Sequence, residues 1–98
     1  MEFDLDLISV VHNESGRRFE AAVQGLTALL VYKLVPGSMV IQHTQVPPAL
    51  EGRGLAGKLT RAALDYARSR NLQVVPLCPF TAAFMAKHPE YDDLIQST

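Results

Sequence analysis

The segment from Leu26 to Val35 is apolar on both of its alternating phases. Ala28, Leu30, Tyr32 and Leu34 take one phase, and Leu29, Val31 and Val35 take the other. Such a strand is expected in the middle of a sheet, with both faces covered. Gln24-Gly25 precedes it and Pro36-Gly37 follows it. Both are turn pairs, and Pro then Gly suits the two middle positions of a type II turn. Antiparallel partners are therefore expected on either side. Arg18 to Val23 alternates, with Phe19, Ala21 and Val23 on one face, and Met39 to Val46 forms the returning strand. A first strand is expected at Leu7 to Val11, ahead of the turn cluster from Asn13 to Gly16.

The pattern then changes. The fourth strand turns polar at Gln42, His43, Thr44 and Gln45, which points to one end facing a cleft, and Pro47-Pro48 stops it. A helical stripe begins near Arg53 and runs through Leu55, Ala56, Leu59, Ala62, Ala63, Tyr66 and Ala67, with Asn71 as its stop. Leu72 to Cys78 reads as a fifth strand. Pro79 suits the first position of a second helix carrying Phe80, Ala83, Phe84 and Lys87. A last short helix is expected from Glu90 to Ile95, after Pro89. The order is β-β-β-β-α-β-α. A step of about thirty residues from strand four through a helix to strand five is that of a βαβ unit. The fold class is therefore α+β: a mixed, mainly antiparallel sheet with strands four and five parallel.

With 98 residues, the chain is expected to form one domain spanning 1–98. The hydrophobic share of 48% and net charge of −1 exclude disorder, and also a dedicated nucleic-acid binder, which would be basic. The single cysteine, Cys78, cannot form an internal disulfide and favours a reducing compartment. The acidic start, Met1 to Asp6, does not read as a signal peptide, and no apolar run is long enough for a membrane helix. A cytoplasmic protein without membrane or nucleic-acid partners is expected. His12, His43, His88 and Cys78 lack metal-ligand spacing, so no metal is expected.

The chemistry concentrates at Glu51-Gly52-Arg53-Gly54-Leu55-Ala56-Gly57-Lys58, between a strand and a helix. Glycines there let the backbone turn tightly and approach a ligand. The helix start presents unpaired N–H groups to an anion, and Arg53 and Lys58 add charge. The same glycines also suit a plain strand-to-helix loop. The spacing is neither that of a Walker loop nor that of a dinucleotide fingerprint after a first strand.

Glu51 to Ala56 resembles the Gln/Arg-x-x-Gly-x-Gly/Ala signature of the GNAT superfamily of acetyl-CoA-dependent N-acetyltransferases, apart from its first position. The chain is more specifically similar to a short GNAT-like subgroup of about a hundred residues. His43-Thr44-Gln45-Val46, the glycine loop, Cys78-Pro79-Phe80 and His88-Pro89-Glu90-Tyr91 carry the likeness, which spans Leu7 to Ile95. The resemblance implies a sheet splayed between strands four and five, with a bulge near the end of strand four. Acetyl-CoA would lie in that cleft, its pantetheine arm beside Thr44 and Val46 and its pyrophosphate on the N–H groups of Gly52 to Ala56. The implied cofactor set is Thr44, Val46, Glu51, Gly52, Arg53, Gly54, Leu55, Ala56, Gly57, Lys58 and Phe80.

Gln45 stands where the subgroup has Glu, and an amide cannot take a proton as a carboxylate can. Glu51 stands where the superfamily has Gln or Arg, and its charge opposes a pyrophosphate. Cys78, ahead of a helix start that favours the thiolate, is the first catalytic candidate, and His43, read as a base facing the cleft, is the second. Each also has a plain structural reading, Cys78 as a buried core residue and His43 as a hydrogen-bonded strand residue. Phe80 reads either as core or as cofactor contact, and His88 as a helix-end residue. The expected activity is acetyl transfer to an unidentified amine by a monomer or weak homodimer. The alternative is a CoA- or acyl-CoA-binding module with little turnover.

Overall fold

A computed structural model describes residues 2–95; Met1 and residues 96–98 of the expected 1–98 domain lie outside the described residues. One five-stranded sheet has the order β1 (Val11–Asn13), β2 (Arg18–Val23), β3 (Leu26–Val35), β4 (Ser38–Gln45) and β5 (Gln73–Pro76). The first four strands are antiparallel neighbours, and β4 and β5 are parallel. Helices α1 (Leu55–Ser69) and α2 (Pro79–Lys87) and 3-10 turns at Leu5–Leu7, Pro48–Leu50 and Pro89–Leu94 complete the chain. The α+β class and the parallel pair are as the sequence predicts. Among the described residues, no helix is long and apolar enough to cross a membrane.

The turn chemistry acts as read. Gln24 and Gly25 both take positive φ, the hairpin geometry that joins β2 to β3 in two residues, with Val23 opposite Leu26. Gly37 takes φ +75° behind Pro36. Asn71, at φ +57°, ends α1, and Leu72 N–H reaches back to Ala67 O at 2.9 Å.

Four expectations change. The first strand is Val11–Asn13 rather than Leu7 to Val11, because the Asp4 carboxylate accepts from Asp6 N–H and winds Leu5–Leu7 into a 3-10 turn. Ile8 and Val10 then pack on the core edge instead of extending the sheet. Helix α1 begins at Leu55 rather than near Arg53, because Gly54 at φ +89° is left-handed and cannot be a helical residue. Its buried stripe is Leu55, Leu59, Thr60, Ala63, Leu64 and Ala67, so Leu64 and Thr60 are core while Ala62 and Tyr66 lie at its margin. Finally, β3 is fully covered on one face only. Ala28, Leu30 and Tyr32 are buried against α1, whereas Leu29 and Val31 are half-buried and Val35 is exposed.

The core therefore lies between α1 and one face of the sheet. Phe19, Ala21 and Val23 of β2, Met39 and Ile41 of β4, and Val74 of β5 join β3 there. Each fully buried Leu or Ile side chain contributes about 1.5–3 kcal/mol. α2 packs on β5 and α1 through Thr81 and Met85. The His-Pro-Glu-Tyr segment closes this end. His88 Nδ1 lies 2.7 Å from Phe84 O, Tyr91 OH donates to Asp65 at 3.0 Å, and Arg61 donates to Tyr91 OH at 3.1 Å.

A notch and a glycine-lined helix start

β4 and β5 pair only from Ser38 with Gln73 to Ile41 with Pro76. Beyond that, Ile41 O accepts from both Leu77 N–H (3.0 Å) and Cys78 N–H (3.1 Å), so the chain after β5 turns into α2. β4 continues to Gln45 with β3 on one side and, among the described residues, no strand on the other. A notch opens between the end of β4 and the start of α2.

A bulge decides which side chains face this notch. Val31 pairs with His43 and Tyr32 with Ile41, leaving Gln42 as an extra residue on β4. Without it, His43 would share the core-side face with Ile41. With it, Thr44 takes that face, opposite the buried Leu30, and His43 is exposed beside Val31 on the far face. His43, expected to face the cleft, therefore lies on the other face of the sheet. Instead, Cys78 Sγ is 3.5 Å from Thr44 Oγ1.

Cys78 is 4% exposed. Burial pushes its thiol up, but the Thr44 hydroxyl, the Thr81 and Phe80 N–H groups at the start of α2 and the Thr81 hydroxyl outweigh it, holding the thiol below its ordinary range. Thr81 Oγ1 is buried with no other hydrogen-bond partner at bonding distance, so it is available to an ionised sulfur. Replacing Thr44 by Val keeps the shape and removes one of these groups. The pH profile of Cys78 alkylation by iodoacetamide is expected to move to higher pH, and an unmoved profile would show that Thr44 does not stabilise the thiolate.

The glycine loop lies alongside. Gly52 (φ +76°) and Gly54 (φ +89°) use left-handed backbone, and the loop enters α1 without a side-chain cap. The first backbone bond of the helix is Lys58 N–H to Gly54 O at 3.0 Å. The N–H groups of Leu55, Ala56 and Gly57 thus point out of the helix end with no acceptor among the described residues. They adjoin a cavity of about 220 Å³ lined by Val46, Leu50, Glu51, Gly52, Gly54, Leu55, Ala56, Gly57 and Phe80. Most of the sequence-derived cofactor set is brought together there. Arg53 is an exposed loop residue outside the lining, and Thr44 stands in the notch. Phe80 is 43% exposed at the cavity wall, so its reading as core is corrected. Leu50 is an addition, its signal being a large apolar residue between Pro47-Pro48 and the loop.

Lys58 is placed differently from the expectation. Its Nζ donates to Leu5 O at 2.6 Å, tying the N-terminal turn across the helix start. Lys58 also lines a second cavity, of about 340 Å³, with Leu5, Asp6, Gly54, Gly57, Arg61 and Phe84. Gly54 and Gly57 are common to the two cavities. Leu5, Asp6, Arg61 and Phe84 were not legible as neighbours, because their meeting depends on where the N-terminal turn docks.

The model of a family described as GCN5-related N-acetyl-transferase matches residues 18–94. Among curated proteins, Protein NATD1 of Bos taurus is 35% identical over 84% of this chain and 75% of its own length. Protein NATD1 of Homo sapiens is 34% identical over 84% of this chain and 75% of its own length. Among solved structures, a GCN5-like protein from Staphylococcus aureus superposes with a TM-score of 0.71 at 26% identity, covering 92% of this chain and 89% of that one.

Proposed function

Since this chain belongs to the GCN5-related N-acetyl-transferase family, we propose that it binds acetyl-CoA at the glycine loop and notch and transfers the acetyl group to an amine. The observation that carries this reading is the start of α1, where three N–H groups without acceptors adjoin a mainly apolar cavity.

The residues present fit such a ligand. Leu55, Ala56 and Gly57 would hold the pyrophosphate through backbone N–H groups, which are indifferent to side-chain identity. Val46, Leu50 and Phe80 offer apolar wall. Glu51 is exposed, so its carboxylate can turn to solvent away from the phosphates. When bound, acetyl-CoA supplies an acetyl group activated as a thioester. The unpaired edge of β4 supplies backbone donors and acceptors along the notch. We assign proton handling to Cys78 Sγ rather than to His43, because the notch holds the sulfur and the far face of the sheet holds the imidazole. Transfer also needs the amine neutral and the two reactants held in register, and the notch would serve the second condition.

The test is titration calorimetry with acetyl-CoA and CoA, followed by a panel of primary amines with release of free CoA as the readout. Binding with CoA release above the protein-free rate is the expected result. Binding without release on any amine would convert the reading to a CoA-binding module, and no binding at millimolar ligand would overturn both.

A further inference from the structure

Only one side chain of β1 faces the core. Val11 and Asn13 lie opposite Glu20 and Arg18 on the far face of the sheet, and His12 lies opposite Phe19 on the core side. The His12 ring stacks on Phe19 with centroids 4.1 Å apart and meets the Tyr66 ring of α1 edge-on at 4.4 Å. Its side chain is 19% exposed. Nε2 lies 2.5 Å from the hydroxyl of Tyr32, a residue 1% exposed. We propose that His12 and Tyr32 form a proton-operated latch, closed while the imidazole is neutral, and that acid opens it and releases β1 from β2.

Counting donors and acceptors fixes the closed state. A phenol has one O–H to give, and the Arg17 guanidinium already donates to the Tyr32 oxygen. The Tyr32 O–H is therefore directed at Nε2, which must be the unprotonated ring nitrogen. Nδ1 then carries the hydrogen and faces the Glu14 carboxylate at 3.8 Å. The next proton has only Nε2 to go to. Nε2–H and Arg17 would then aim two donors at one oxygen, and the buried Tyr32 O–H would lose its acceptor. Opening β1 carries the imidazolium into water and ends this conflict.

The surrounding charges do not reverse the effect. Burial pushes the imidazole below its ordinary value; Glu14, itself exposed, draws it back in part, and Arg17 and Arg70 oppose a further cation. Tyr66 contributes its ring, and Arg18, Glu20 and Lys33 stand on the far face of the sheet. The direction with pH follows. Above about pH 6.5 the imidazole is neutral whether β1 is docked or open, and the latch has its full strength. Below that the open form takes the proton first. Opening then grows easier by up to about 10-fold per pH unit, until the docked form titrates as well.

The experiment follows amide hydrogen exchange, corrected for the intrinsic effect of pH, at about pH 7.5 and about pH 5.0 in the wild type, Tyr32→Phe and His12→Gln. Protection of the β1–β2 amides in the wild type should fall about 5-fold or more between the two, with that of β3–β4 unchanged. His12→Gln, which has no titrating ring, should show the same β1–β2 protection at both pH values. Tyr32→Phe keeps the aromatic packing and removes the hydroxyl. It should raise the midpoint of the His12 ring titration, read from ring-proton shifts, and shrink the acid-dependent loss. Wild-type β1 equally protected at both pH values overturns the latch. A loss of wild-type size in His12→Gln, or a His12 midpoint that Tyr32→Phe leaves unmoved, overturns it as well.

Discussion

Tryptophan at position 57 is expected to weaken CoA binding by about 100-fold or more, a loss of roughly 2.7 kcal/mol. Gly57 is the position to choose because it lines both cavities. It is also helical, unlike Gly52 and Gly54, whose positive φ would strain any side chain and confuse a binding defect with a folding one. A Cβ on Gly57 would meet only Phe84 Cε2, at 3.6 Å, which is ordinary contact. The variant Gly57→Ala should therefore retain binding and gain up to about 1 kcal/mol of helix stability. An indole has nowhere to go but into the ligand space. Calorimetry on both variants, with thermal melts to show that each is folded, decides the matter. Undiminished CoA affinity in a folded Gly57→Trp would place the ligand elsewhere and remove the glycine loop from the argument.

Truncation of Leu64 to Ala is expected to cost about 2–5 kcal/mol of folding stability, the usual range for a buried leucine. For a domain of this size each kcal/mol lowers Tm by about 4–8 °C. Leu64 has no exposed surface and sits between α1 and the core-side face of the sheet. Both α1 and the sheet would lose contacts that a chain this small cannot readily replace. Leu77→Ala, at a residue 63% exposed, should change stability by no more than about 0.5 kcal/mol. Denaturant unfolding of the pair checks this, and a Leu64→Ala cost below about 1 kcal/mol would mean that the helix is not seated as described.

These two positions show different degrees of legibility. Gly57 was readable from sequence as part of a glycine-rich helix entry. Leu64 was not, because the sequence places the apolar stripe of α1 through Ala62 and Tyr66, which lie on its margin. Small alanines blur the phase of a helical stripe, because they are tolerated on either face. The middle of the sheet shows a similar limit. Apolar residues on both phases of β3 predict cover on both faces, yet the far face is only partly shielded, since scattered apolar residues are tolerated on protein surfaces.

The candidate site divides along the same line. The Pro-Gly and Gln-Gly turns, the start of α1 at the glycine loop and the stop at Asn71 are local events. Each depends on φ preferences or on caps that a few neighbouring residues supply, so the sequence by itself determined them. The parallel step from β4 to β5 followed from the length of the connection. What joins Cys78 to Thr44 and sends His43 away is a single extra residue, Gln42, in the pairing of β4 with β3. What brings Leu5 and Asp6 to Lys58 and Arg61 is the docking of an N-terminal turn onto a helix more than fifty residues later. Neither leaves a mark in the local pattern. Register is settled by the balance of packing across a whole sheet, and docking by surfaces distant in the chain, so only the tertiary structure decided them.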